Sequence, residues 1–144
     1  MRHSCIIPAI LIPILVLVLG LTLSCHRVDE PKYRIGLSQC SADDWRAKMN
    51  AEVYREMMFH NDATVEIRSA NDDNDRQIAD IQYFIDNRFD IIIAAPNEPG
   101  PITPVIRKAR ENGIPVITFD RGISDTCYTA HLEVDNTGLG HSAA

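Results

Sequence analysis

Asp90-Ile91-Ile92-Ile93-Ala94-Ala95-Pro96 holds five consecutive apolar residues between an acidic residue and a proline. A run of this length, opened by β-branched side chains, predicts a strand covered on both faces, and such strands belong to parallel sheets. Helical patterns flank it. Upstream, Asn71-Asp72-Asp73-Asn74-Asp75 opens a helix to about Asn87 whose inward face is Ile78, Ile81, Phe84 and Ile85. Downstream, Thr103 as cap, Pro104 at the first helical position, inward Val105, Ile106 and Ala109, and Gly113 as the stop predict another helix.

The same alternation continues on both sides. Tyr33 to Ser38 and Thr64 to Ala70 read as strands. Between them, Asp43 to His60 places Trp45, Met49, Val53 and Met57 at fourfold spacing, an amphipathic helix capped by Asp43 or Ser41. Pro115 to Phe119 gives a fourth strand and Tyr128 to Val134 a weaker fifth. Strand and helix alternating in this way predict an α/β fold, a doubly wound parallel sheet with right-handed crossovers.

Ligands of such sheets bind beyond the carboxyl ends of the strands, where loops converge and helix N-termini present free N–H groups. The segments to examine are therefore Gln39 to Trp45, Ala70 to Asp75, Ala95 to Gly100 and Asp120 to Gly122. Cys40 lies at such an exit and Cys127 precedes a strand, at the opposite edge, so the expectation is two free thiols. Scattered histidines and the lack of ligand spacing predict no metal.

The amino terminus is a separate unit. Ser4 to Cys25 carries no charge, and Ile6 to Leu23 is almost wholly aliphatic after Met1, Arg2 and His3, the layout of an export signal or a transmembrane anchor. Its end, Leu21-Thr22-Leu23-Ser24-Cys25, resembles a bacterial lipoprotein signal, with Cys25 the residue to be lipidated. Both readings stay open: a lipid anchor at Cys25, or an uncleaved apolar helix. The expected organisation is signal or anchor over 1–25, linker over 26–32, and an α/β lobe over 33–134. The chain of 144 residues has a formal net charge of −6, which disfavours nucleic acid and anionic lipid head groups as partners.

The exits exclude several chemistries. Gly36-Leu37-Ser38-Gln39-Cys40-Ser41 lacks the glycines of a dinucleotide loop, no phosphate-cradling Gly-rich loop is present, and Ala95 stands where a phospho-accepting domain needs Asp. In Asn71 to Asp75, Arg76 replaces the glycine of a calcium loop, so the run reads as a solvated turn and helix cap. No cofactor is implied. Asp120 and Arg121 offer an acceptor-only carboxylate beside a five-donor guanidinium, a pair that sugar hydroxyls satisfy, and Trp45 offers a ring for the C–H face of a sugar. The same residues also read, and more commonly, as a surface ion pair and a core tryptophan.

A family resemblance separates these readings. Tyr33 to Ala144 resembles the first lobe of the type I periplasmic binding proteins of the ribose- and galactose-binding group. The resemblance is carried by Ile35-Gly36-Leu37-Ser38-Gln39, Asp43-Asp44-Trp45, Asp90-Ile91-Ile92-Ile93 with Pro96, Gly113-Ile114-Pro115-Val116-Ile117-Thr118-Phe119-Asp120-Arg121, and Val134-Asp135-Asn136 with Gly138. It implies that Asp120 and Arg121 bind sugar, that Asp44 and Trp45 contribute from the first loop, and that Cys40 lies near the base of the cleft. Where relatives carry Asn at the end of the third strand this chain has Ala95, with Asn97 two residues on. The resemblance also implies that 135–144 opens a second lobe, and that a lone lobe supplies half a cleft.

Two binding roles follow from it, both with a simple pentose or hexose and no chemical conversion. Ser38-Gln39-Cys40-Ser41, Ser69-Ala70-Asn71-Asp72-Asp73 and Ser124-Asp125 look most like the periplasmic sensor region of hybrid two-component histidine kinases, a role that suits an uncleaved membrane helix. The alternative is a lipid-anchored solute-binding protein working with an ABC permease. A small Rossmann-like enzyme is the remote third reading, with Ser38, Cys40 and Asp120 as candidates by location and no histidine at a strand exit to activate them.

Overall fold

The computed structural model describes residues 31–143. The export or anchor segment and Cys25 lie outside the described residues. The elements are β1 (Tyr33–Gln39), α1 (Asp44–Met57), β2 (Ala63–Ser69), α2 (Asn74–Asp86), β3 (Ile91–Ala94), α3 (Pro99–Glu111), β4 (Val116–Phe119), β5 (Ala130–Leu132) and α4 (Asn136–Ala143). All five strands pair in parallel in the order β2-β1-β3-β4-β5, so the isoleucine run is the central strand, as expected. The chain winds outward in both directions from β1 and β3, whose neighbouring exits form the crevice of a doubly wound sheet.

Strand alternation divides the sheet into two unlike faces. A Cβ on Gly36 would lie 2.6 Å from Cγ of Phe84, so that face of β1 meets α2 at the distance of a bare backbone. Ile81, Phe84 and Ile85 of α2, Ile102, Val105, Ile106 and Ala109 of α3, and Ile92, Ala94 and Val116 of the sheet form the sealed core on that side. The other face, under α1, is only partly closed: Leu37 is fully buried, but Ile91, Ile93 and Ile117 keep some exposure. The expectation of a central strand covered on both faces is thus corrected to one sealed face and one half-buried face. One helix covers the second face where two cover the first.

Local chemistry sets the helix ends. Asp43 caps α1 by accepting from the Arg46 amide at 2.8 Å, and Ser41 Oγ donates to Asp43 at 2.6 Å. Asp73 caps α2 by accepting from the Arg76 amide, with Asn71 and Asp72 in left-handed conformation before it. This is the turn and cap expected of the acidic run. The start of α3 is a correction. It begins at Pro99, not Thr103, and Pro104 lies inside it. Pro99 suits a first helical position because its missing N–H would have no partner there, and Thr103 instead donates to the Pro99 carbonyl and accepts from the Ser124 amide. Gly113 ends the helix at φ 80°, as predicted.

Candidate functional site

The carboxyl ends of β1, β3 and β4 bring together residues from α1 and two loops. Asp120 follows β4 in left-handed conformation (φ 65°), its amide donating to the Leu132 carbonyl at 2.9 Å. Its carboxylate does not pair with the adjacent Arg121. The partner is Arg46, whose Nη2 meets Asp120 Oδ2 from the first turn of α1. Arg46 is 4% exposed, while the Asp120 side chain keeps 42% of its surface in solvent. The guanidinium carbon lies 4.6 Å from the Trp45 ring centroid and 5.6 Å from that of Phe119.

Sequence reasoning missed Arg46. Residues at strict fourfold spacing drift by about 40° per step around a helix of 3.6 residues per turn, so Trp45 stands about 120° away from Met57. Arg46 stands within about 20° of Met57 and shares its inward face. Trp45 is accordingly 59% exposed, which corrects its placement on the packed face of the helix and leaves its ring open at the exits. Gln39 reaches from β1 to donate to Asn50 Oδ1 on α1 at 2.7 Å, tying this end of the helix to the sheet.

The other expected residues occupy distinct places. Arg121 is exposed and donates through Nη1 to the Asn97 carbonyl at 3.0 Å, linking the β4 and β3 exits. Asn97 spends its amide group on the Asp72 carbonyl and Asn74 Oδ1, and its backbone N–H donates to Gln77 Oε1 at 2.7 Å. Gln77 is fully buried and also donates to the Ala95 carbonyl, so it fixes the β3 exit from below. Asp44 is exposed at the start of α1. Cys40 has no exposed surface and lies beneath the β1 exit. Cys40 and Cys127 are both free thiols.

Nucleophile chemistry finds little support at these exits. Ser38 is fully buried with its hydroxyl accepting from Gln77. Thr118, His131 and Glu133 form a chain of hydrogen bonds, Oγ1 to Nδ1 at 2.9 Å and Nε2 to the carboxylate at 3.3 Å, in the order of a nucleophile, base and orienting acid. Thr118 is fully buried, so no substrate atom reaches its hydroxyl. Among the described residues no cluster of three or more His, Cys, Asp or Glu is placed to hold a metal ion. A cavity of about 690 Å³ lies at the opposite ends of the strands; Tyr33, Ile35, Met57, Ile91 and Pro115 give it mainly apolar walls, and Glu56, His60, Asp62 and Asp90 also line it.

A parallel five-stranded sheet with polar groups gathered at a crevice between strand exits defines a ligand-binding lobe of the α/β class. The sequence profile described as a periplasmic binding protein domain matches residues 35–144, and the chain belongs to that family. The D-xylose-binding periplasmic protein of Haemophilus influenzae is 27% identical over 131 residues, covering 91% of this chain and 40% of the relative. The fructose-binding periplasmic domain of a hybrid two-component system has a TM-score of 0.74 at 50% identity, covering 77% of this chain and 37% of that one. The periplasmic binding protein component of the arabinose ABC transporter from Shewanella sp. ANA-3, solved with arabinofuranose, gives a TM-score of 0.69 at 25% identity, covering 74% and 36%. The chain thus spans well under half the length of these relatives. Family membership implies a periplasmic or cell-envelope location.

Proposed function

We propose that the chain binds a neutral pentose or hexose without converting it, as the ligand-sensing part of a membrane-anchored two-component sensor. The observation that carries this reading is the half-exposed Asp120 carboxylate, held at the β4 exit by Arg46 beside the open ring of Trp45. A carboxylate accepts from hydroxyls, guanidinium groups donate to them, and an indole covers a C–H face. Arg46 and Asp120 cancel each other's charge, which suits a ligand without charge. The 50% identity to a fructose-binding sensor domain supports the sensor role, and the uncharged stretch Ser4 to Ser24 supports the anchor. Residues 135–144 then open a second lobe, and 33–134 supply one wall of the cleft.

The xylose-binding relative and the Leu21 to Cys25 segment favour a second reading, a lipid-anchored solute-binding protein delivering sugar to an ABC permease. The intact mass of the native polypeptide in the membrane fraction separates the roles. A mass many times 16.1 kDa supports the kinase-linked sensor, and one near twice 16.1 kDa the importer. Calorimetric titration of the 144-residue chain with D-fructose, D-xylose and L-arabinose tests the shared claim. Heat of binding is expected for at least one sugar, with weak affinity for a single lobe, and silence with all of them would overturn it.

A further inference from the structure

The chain enters β1 at Tyr33, at the end of the sheet opposite the strand exits. The turn between α1 and β2 lies beside this entry: the Tyr33 amide donates to the Asp62 carbonyl at 2.9 Å, and Tyr33 stands opposite Ala63 in the sheet. Tyr33, Met58 and Phe59 put large side chains into solvent here, 43%, 70% and 76% exposed, and Tyr54 adds another from the last turn of α1. Met57 and Tyr33 also line the mainly apolar cavity at the same end. Single exposed apolar residues need no explanation, but several gathered beside an apolar cavity mark a contact surface. Flanking charges are largely matched within the protein: Arg55 pairs with Glu52, and His60 hydrogen-bonds Glu56 at 3.1 Å. Asp62 and Asp90 on the cavity rim disfavour an anionic partner.

We propose that this end of the lobe rests on the membrane surface, its apolar side chains entering the interface of a zwitterionic phospholipid layer, so that the strand exits face away from the lipid. The inference rests on the membrane-anchored reading above and holds for either form of anchor. Both forms end at or before Cys25, and residues 26–32 span at most about 25 Å when fully extended. β1 alone, seven residues long, carries its exit roughly 23 Å beyond Tyr33. The end bearing Tyr33 is therefore the one held near lipid, and aromatic side chains are well suited to the boundary between head groups and acyl chains. Lys32, with Nζ 4.8 Å from the Tyr33 ring centroid, is long enough to keep its charge among the head groups while its stem lies along the apolar surface.

Trp45 is the single tryptophan of the chain and stands at the strand exits, so it serves as the internal control. The test reconstitutes the full 144-residue chain in phosphatidylcholine vesicles with and without bromine on the acyl chains, which quenches indole emission on contact. Two probes are compared: wild-type Trp45, and a single indole moved to the other end by Phe59→Trp combined with Trp45→Phe. The moved indole is expected to shift its emission to the blue and lose intensity on brominated vesicles, while Trp45 of the wild type keeps its emission. Met58→Trp in the same Trp45→Phe background repeats the reading at a second position, should the first variant fail to fold. Phosphatidylglycerol added to the vesicles should not raise the quenching; a rise would overturn the choice of a zwitterionic surface. A chain that sediments with the vesicles while the moved indole is quenched no more than Trp45 would overturn the inference and spare the anchor. A chain that stays in the supernatant overturns both.

Discussion

Arg46 and Asp120 lie 74 positions apart and form one ion pair that joins the first turn of α1 to the end of β4. The pair spans the exit of β3, which lies between β1 and β4 in the sheet. One partner is buried and the other half-open, so the carboxylate is held in position while still offering an edge to the crevice.

Asp120→Asn keeps a residue that tolerates the left-handed backbone and removes the charge facing Arg46. The expected loss is about 2 kcal/mol, below the roughly 3–5 kcal/mol of fully buried pairs because Asp120 is partly solvated. Urea denaturation midpoints measure it. The double variant Arg46→Met with Asp120→Asn recovers most of the loss, since no buried charge is left unpaired, and additive losses would contradict the pairing.

Gly36→Ala drives a methyl group into the Phe84 ring, which is fully buried and cannot swing away. Overpacking of this kind costs about 2 kcal/mol or more. Pairing it with Phe84→Leu should relieve part of the clash, and a Gly36→Ala chain as stable as wild type would show that α2 shifts freely over β1.

Acid exposes the α1 cap. The Ser41 hydroxyl first, then the Arg46 amide, hold the Asp43 carboxyl below the usual carboxylate range. The folded state therefore binds fewer protons than the unfolded one. The cap's contribution is complete above an unfolded value of about 3.9 and is lost as pH falls through the lower folded value. Asp43→Ala should lower the melting temperature near neutral pH and shrink the fall in stability below about pH 4. An unchanged acid limb would show that Asp43 does not titrate in contact with the helix.

Burial first, then the charge of Asp125, push the Cys127 thiol up. Iodoacetamide should therefore modify Cys127 more slowly in the folded chain than in urea, and Asp125→Asn should speed the reaction by removing the negative charge beside it. Peptide mass mapping separates Cys127 from Cys5, Cys25 and Cys40, and Cys40 stays unmodified in the folded chain because it has no exposed surface. Equal rates in wild type and Asp125→Asn would remove Asp125 from the thiol's environment.

Much of the fold was legible because it rests on local signals. The β-branched run of β3, the aspartates that cap α1 and α2, and Gly113 after α3 each act over a few residues, and the sequence shows them directly. Thr103-Pro104 misled because a cap followed by proline is a strong start signal, yet Pro99 and Pro101 upstream already fit the first turn of α3. Gln77 gave no signal at all: a polar residue in a helix reads as solvated until the β3 exit is placed over it.

The sequence by itself determined the order of strands and helices, the parallel sheet, and the edge at which the strand exits converge, because periodicity and capping are properties of neighbouring residues. Tertiary structure alone decided which arginine holds Asp120. Arg121 is adjacent in the chain but is directed to the Asn97 carbonyl by the left-handed turn at Asp120. Arg46 arrives from 74 positions away in sequence because α1 crosses the open face of the sheet and turns its one buried side chain toward the β4 exit.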